Sequence, residues 1–264
     1  MDLQLHGKHA LVTGSTAGIG LAIAKVLTSE GAQVILNGRT GERVLSAAEA
    51  IRAEFPEAIL NSFVGDLSQA EQATALTTQF AHIDILVNNL GVYEAKEFQE
   101  ISDDDWHSII ETNFMSGLRL SRFYLPRMKQ SGWGRIIFIS SESAVNIPSE
   151  MIHYGVTKTM QVALARGLAE TTRATAVTVN SILAGPTKSE GVEGFIKGMT
   201  RSQNLKAEAV EKEFFETVRP GSLIKRFATV DEVAAMVAYV ASPLSSATNG
   251  AALRVEGGLI SSIL

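Results

Sequence analysis

The amino-acid sequence predicts an α/β protein, one domain in which a parallel sheet is covered by helices on both faces. Two observations lead there. Short apolar runs of strand length alternate with amphipathic helical stretches along the chain, from His9 to Val255. The first run ends at a glycine cluster, and strand, turn, helix and next strand together make a βαβ unit, which implies parallel pairing. No internal repeat, low-complexity tract or linker interrupts the alternation, so the 264 residues read as a single domain, 1–264.

His9-Ala10-Leu11-Val12-Thr13 is the first strand. Ile19, Ile23, Val26 and Leu27 mark a helix that stops near Gly31, and Gln33-Val34-Ile35-Leu36-Asn37 is the second strand. The pattern repeats as helix Arg43–Glu54, strand Ile59–Val64, helix Gln69–Phe80 and strand Ile83–Asn88. Trp106, Ile109, Ile110, Phe114, Leu118 and Phe123 define a long helix with Asn113 at its middle, a residue whose low helix propensity invites a reason. Strand Arg135–Ser140, a helix carrying Tyr154 and ending near Thr171, and strand Val177–Ile182 follow. Helix Thr229–Ala241 and strand Ala251–Val255 close the chain.

Three helix entrances carry capping boxes or close variants: Ser68-x-x-Glu71, Ser102-x-x-Asp105 and Thr229-x-x-Glu232. They give the cluster Asp103-Asp104-Asp105 a structural meaning, carboxylates at the positive end of a helix rather than a metal site. From Ala184 to Pro220 the chain changes character. Val192, Phe195, Ile196 and Met199 fit one helical face, and Val210, Phe214 and Val218 another. This two-helix insertion (184–220) follows the carboxyl end of a strand, where open α/β sheets bind ligands; it reads as a substrate-side lid or as plain surface packing.

Composition narrows the function. Apolar residues make up 45% and charged residues 19%, which supports a large core and argues against disorder. The net charge of −5, without a Lys/Arg stripe, argues against a nucleic-acid partner. Absence of cysteine removes disulfides and thiolate chemistry, and the five histidines lack metal-type spacing, so no metal is expected. His153 reads as a surface or cap residue. The N-terminus has no signal-peptide character and no run reads as a membrane span, so a cytoplasmic location is expected.

The glycine turn reads Thr13-Gly14-Ser15-Thr16-Ala17-Gly18-Ile19-Gly20. Glycines there let backbone N–H groups and a helix N-terminus approach a pyrophosphate, although such a turn can also merely cap a helix. Dinucleotide folds place a carboxylate after the second strand for the ribose hydroxyls of NAD, whereas an arginine suits a 2′-phosphate. Here the chain reads Asn37-Gly38-Arg39-Thr40, which favours NADP(H) while leaving NAD(H) open.

Tyr154 and Lys158 are four residues apart on one helix, so the phenol and the ammonium share a face. Ser141 lies just past the fifth strand. A bare Y-x-x-x-K is more often an exposed pair on a surface helix. A lysine at about 4–5 Å, at an effective dielectric of about 20, nevertheless supplies roughly the 3–4 kcal/mol needed to bring a phenol toward neutral pH.

With Thr13-Gly14-x-x-x-Gly18-Ile19-Gly20, Asn88-Asn89-Leu90-Gly91, Asn113, Ser141 and Tyr154-x-x-x-Lys158 in order, the chain resembles the classical short-chain dehydrogenase/reductases over essentially its whole length. The resemblance implies a Rossmann-type domain with a doubly wound, seven-stranded parallel sheet. It implies Tyr154 as general acid or base, Lys158 holding the nicotinamide ribose and depressing the phenol's pKa, and Ser141 binding the substrate oxygen. Asn113 would support a water relay to Lys158. Gly14, Ser15, Thr16, Gly18, Ile19 and Gly20 would cradle the pyrophosphate, with Asp66 and Leu67 at the adenine. Asn89 and Gly91 would meet the adenosine ribose, and Thr187 and Ser189 the nicotinamide side.

Homotetramers or homodimers, packed through the helices of Asn113 and Tyr154, are also implied. The chain departs from the family pattern at Leu90, where alanine is usual, at Ala184-Gly185-Pro186, and at Ser189 in place of threonine.

The expected function is hydride transfer between NADP(H) and a small carbonyl or secondary-alcohol substrate. A cofactor-sensing regulator and a lyase or epimerase on the same fold remain as alternatives. Val192, Phe195, Ile196 and Met199 hint at an apolar substrate.

Overall fold

Aliphatic and β-branched runs become strands here because both faces of the sheet are covered, so every position of a central strand meets apolar neighbours. The computed structural model describes residues 2–189 and 207–263. Its strands are β1 (His9–Val12), β2 (Gln33–Gly38), β3 (Leu60–Val64), β4 (Ile85–Asn88), β5 (Gly134–Ser141), β6 (Val177–Ala184), β7 (Thr187–Lys188), β8 (Ala228–Thr229) and β9 (Ala252–Val255). Its helices are α1 (Gly18–Ser29), α2 (Gly41–Glu54), α3 (Ala70–Gln79), α4 (Asp103–Ile110), α5 (Ser116–Ser131), α6 (Ile152–Glu170), α7 (Ala207–Glu213) and α8 (Val230–Ala241).

Seven strands form one parallel sheet in the order β3-β2-β1-β4-β5-β6-β9. The period-2 alternation of a strand sorts its side chains between two cores. Ala10, Val12, Val34, Leu36, Ile137 and Ile139 pack with α1, α2 and α8. Leu11, Ile35, Ile136 and Phe138 pack on the other side with α3, α5 and α6. The order in which strands are added reverses at the β1/β4 neighbour pair, and the crevice beyond their carboxyl ends is where such sheets bind ligands.

Arg135, at the start of β5, interrupts the apolar pattern yet is fully buried. Its Nε donates to the Ser242 carbonyl at 3.3 Å, and Nη1 donates to those of Gly134 and Ala176, each at 2.8 Å. The guanidinium also stacks 4.5 Å from the Trp133 ring centroid, and burial pushes its pKa down to about 10.

Four local expectations are corrected. The boxes at Ser102/Asp105 and Thr229/Glu232 form, but Ser68 does not cap α3. Its N–H and hydroxyl both donate to Asp66 Oδ1, at 3.0 and 2.8 Å, so the carboxylate captures the serine in a local turn and the helix starts later. The long helix around Asn113 is broken by a π-turn, Glu111–Met115, between α4 and α5. A second π-turn, Phe214–Val218, follows α7, and its wider i→i+5 spacing brings Phe215 rather than Phe214 onto the buried face of Val210, leaving Val218 exposed. Finally, His153 is buried rather than superficial: its ring meets Trp106 edge-on at 6.0 Å, and Nδ1 has no partner among the described residues. The helix expected from Val192, Phe195, Ile196 and Met199 lies outside the described residues, as does the hint of an apolar substrate drawn from it.

Candidate active site

Because all strands of the main sheet run the same way, every residue just past a strand lies at one edge. That places the Gly14 turn after β1, Arg39 after β2, Asp66 after β3, Asn89 and Gly91 after β4, Ser141 at the end of β5 and Thr187 after β6. Sequence reasoning named these residues separately, and the parallel topology is what gathers them.

The glycine turn is braced from beneath. Asn89 Nδ2 donates to the carbonyls of Thr13 (2.9 Å) and Gly14 (3.1 Å), while Thr13 Oγ1 accepts the N–H groups of Asn89 and Leu90 at 2.9 and 3.0 Å. Gly14 and Gly18 have φ of +60° and +54°, a region that strains other residues. Ser15 is fully buried, and its hydroxyl accepts the Asn37 N–H at 2.9 Å, so it holds β2 rather than offering its side chain outward. Leu67 is likewise a core residue, leaving only its backbone for contact. Thr16 lies against Gly38, and Ile19 packs partly on the core.

Leu90 reaches over the turn, 3.5 Å from where a Cβ on Gly14 would stand. Across the crevice the Ser189 Cβ lies 3.4 Å from a Cβ built on Gly18, whereas Thr187 turns its hydroxyl inward to the Gly185 carbonyl at 2.9 Å.

These residues fit a dinucleotide. Helix α1 begins at Gly18 with no side-chain cap and no acid in its first turn, whereas α2, α4 and α8 carry both. Its N–H groups therefore face the crevice without a side-chain acceptor, beside a wall kept low by Gly14 and Gly18. Arg39 is exposed and makes no hydrogen bond or ion pair among the described residues, as a 2′-phosphate ligand should be.

Tyr154 stands in the first turn of α6, and Gly155 lets that turn press against the loop after β5. A Cβ there would come 2.9 Å from the Ser143 carbonyl and 2.7 Å from Ile147 Cγ2. Tyr154 keeps some solvent exposure while protein atoms crowd its hydroxyl; burial pushes the phenol up to about 12, opposed by its hydrogen bond with Ser141. Ser141 is buried, its Oγ accepting the Ser143 N–H at 3.1 Å. Lys158 is buried as well; its Nζ donates to the Ile139 carbonyl at 2.9 Å and to Gln161 Oε1 at 3.2 Å, and burial pushes it down to about 8.

The expected depression of the phenol's pKa is therefore absent from the protein alone. Lys158 Nζ lies 5.6 Å from the Tyr154 ring centroid with protons directed at other acceptors, and desolvation outweighs the lowering by Ser141 and Arg219.

The π-turn explains the unusual mid-helix asparagine. Asn113 Nδ2 donates to the Val92 carbonyl (2.9 Å) and to Thr157 Oγ1 (3.0 Å), and Oδ1 accepts the Val92 N–H at 2.8 Å. The side chain thus ties the loop after β4 to α6. Gly91, in that loop, leaves open the approach to Lys158: a Cβ would lie 3.3 Å from Nζ.

A side chain also links Asn113 to Lys158. Gln161 Nε2 donates to the Asn113 carbonyl while its Oε1 accepts from Lys158. Gln161 was missed, although its position three residues after Lys158 places both on one helix face. Glu142 and Arg219 were missed too. Their Oε1···Nε contact of 3.2 Å joins residues 77 apart, a distance that no local signal spans.

Comparison with known proteins agrees with this geometry. The family model for short chain dehydrogenases matches residues 8–199. An uncharacterized oxidoreductase of Bacillus subtilis (strain 168), YvaG, is 46% identical over 263 residues and spans 100% of both chains. A D-beta-hydroxybutyrate dehydrogenase of Cupriavidus necator is 31% identical, covering 97% of this chain and 99% of its own. Among solved structures, L-sorbose reductase from Gluconobacter frateurii, complexed with NADPH and L-sorbose, superposes with a TM-score of 0.93 at 28% identity over 100% of both chains. On the sheet topology, the ordered motifs and these matches together, the chain belongs to the classical short-chain dehydrogenase/reductase family of oxidoreductases.

Proposed function

We propose that this protein is an NADP(H)-preferring reductase of a small carbonyl compound, with Tyr154 as the proton donor. The observation that carries the reading is the pairing of Tyr154 with buried Ser141 at the sheet edge that also bears the open glycine turn. Bound in that crevice, NADPH supplies the hydride to the carbonyl carbon.

The chain's own residues do the rest. Gly14 to Gly20 and the α1 N-terminus hold the pyrophosphate, Arg39 holds the 2′-phosphate, and Asp66, Asn89, Gly91 and Ser189 border the remaining length. Ser141 orients the substrate oxygen. Tyr154, held protonated by burial up to about pH 12, gives that oxygen its proton, so the resting site is poised for reduction. Lys158, largely protonated below about pH 8, supplies the positive charge that stabilises the phenolate left behind. Asn113 and Gln161 fix the ammonium's surroundings.

NADPH-bound L-sorbose reductase among the structural neighbours supports both the cofactor and the direction. Tyr154→Phe is expected to lower kcat by at least about a thousandfold while NADPH binding, followed by fluorescence, stays within a few-fold. Near-normal turnover in that variant refutes the assignment.

A further inference from the structure

Beside Ser141 lies a cavity of about 570 Å³ that the steps above do not use. It is of ligand size, and its lining includes Glu142, Asn146, Ser149, Glu150, Thr217 and Arg219. Glu142 lines the cavity and directly follows Ser141 in the chain, and Glu142 and Arg219 both lie near enough to act electrostatically on the Tyr154 hydroxyl.

The charges on this wall are specific. Arg219 is its one cation among the described residues and is paired with both carboxylates: Nε donates to Glu142 Oε1 and Nη1 to Glu150 Oε1, each at 3.2 Å, with Nη1 also donating to the Val218 carbonyl at 3.0 Å. Two carboxylates against one guanidinium leave the polar part of the wall negative and rich in acceptors, while Pro148, Val218 and Leu259 supply its apolar part. Glu142 is nearly fully buried, so whatever covers it must offer donors in place of water.

We infer that the substrate is an uncharged, polyhydroxylated carbonyl compound whose hydroxyl groups donate to Glu142 and Glu150 while its carbonyl rests on Ser141 and Tyr154. The inference rests on the proposed reductase reading and narrows it. A substrate carboxylate or phosphate meets two negative side chains, and the one cation on this wall among the described residues is already paired with both of them. An apolar ketone covers Glu142 without giving it a donor, and a site built to hydrogen-bond hydroxyls discriminates strongly against an analogue that lacks them.

The test compares four-carbon carbonyl compounds with the full-length protein and NADPH, following oxidation of the cofactor: erythrulose (neutral, hydroxylated), acetoacetate (anionic) and 2-butanone (apolar), with 2,3-butanedione as an activated control. The expected result is a kcat/KM for erythrulose at least about tenfold above acetoacetate and 2-butanone. Glu150→Gln and, separately, Glu142→Gln remove one negative charge each, and either is expected to narrow the erythrulose-to-acetoacetate ratio by about fivefold or more. A preference for acetoacetate or 2-butanone, or a ratio that neither variant moves, overturns the substrate assignment and leaves the reductase reading standing. No oxidation with any compound, the dione included, in a protein that still binds NADPH overturns both.

Discussion

Gln161→Leu separates the side-chain clamp from simple packing. Leucine keeps most of the volume but removes both polar contacts, the acceptor for Lys158 Nζ at 3.2 Å and the donor to the Asn113 carbonyl. A hydrogen bond to a charged group contributes about 1.5–3 kcal/mol and a neutral one about 1. The variant should therefore lose about 2.5–4 kcal/mol of stability, read from the urea midpoint.

The functional consequence is more diagnostic. Lys158 already sits at about 8 because burial disfavours its charge, and the Gln161 oxygen stabilises the charged form. Removing about 1.4 kcal/mol of that preference moves the group down by roughly one pH unit. kcat/KM for NADPH reports groups of the free enzyme, so its high-pH limb should fall from near pH 8 to near pH 7 in the variant. Gln161→Glu, which restores an acceptor and adds charge, should move the limb upward instead. A limb that stays put in both variants refutes the clamp, because a residue that only fills space would change stability and leave the profile alone.

Other outcomes follow from the same structure. Arg39→Asp should reduce the ratio of NADPH to NADH affinity by at least about tenfold; an unchanged ratio removes Arg39 from the phosphate site. Lys158 also makes stability depend on pH. Its folded pKa of about 8 lies below the ordinary 10.5, so between these values the unfolded chain binds more protons, and its contribution to stability rises with pH. The full cost is present below pH 8, so Lys158→Met should be more stable than wild type by about 3 kcal/mol at neutral pH, an advantage that shrinks toward pH 10. A pH-independent difference in urea midpoint contradicts this. Arg135→Lys should cost about 3 kcal/mol or more, because a single ammonium cannot match the guanidinium fork that serves three carbonyls. A change below about 0.5 kcal/mol would show that the fork is dispensable.

Much of the fold was legible because its signals are local. A run such as Ile136–Ile139 is wholly apolar because β5 is covered on both faces, and that burial leaves its mark on consecutive residues. The capping boxes at Ser102 and Thr229 were readable for the same reason, as they span four residues each. The box at Ser68 failed because Asp66, two residues upstream, competes for the same serine. The π-turns were invisible: a five-residue turn has no composition of its own, and only Asn113, poorly suited to a helix interior, signalled that the helix serves something else there.

The sequence by itself determined the strands, the glycine turn, the arginine after β2 and the spacing of Tyr154 and Lys158, since each is written within a few residues. Only the tertiary structure decided the charge states. Tyr154 is raised and Lys158 lowered because strands, loops and helices from distant parts of the chain exclude water around them. It also decided the acidic wall beside Ser141, where Arg219 meets Glu142 from 77 residues away. Electrostatic energies depend on which groups share a dry volume, and a linear chain does not specify that volume until it has folded.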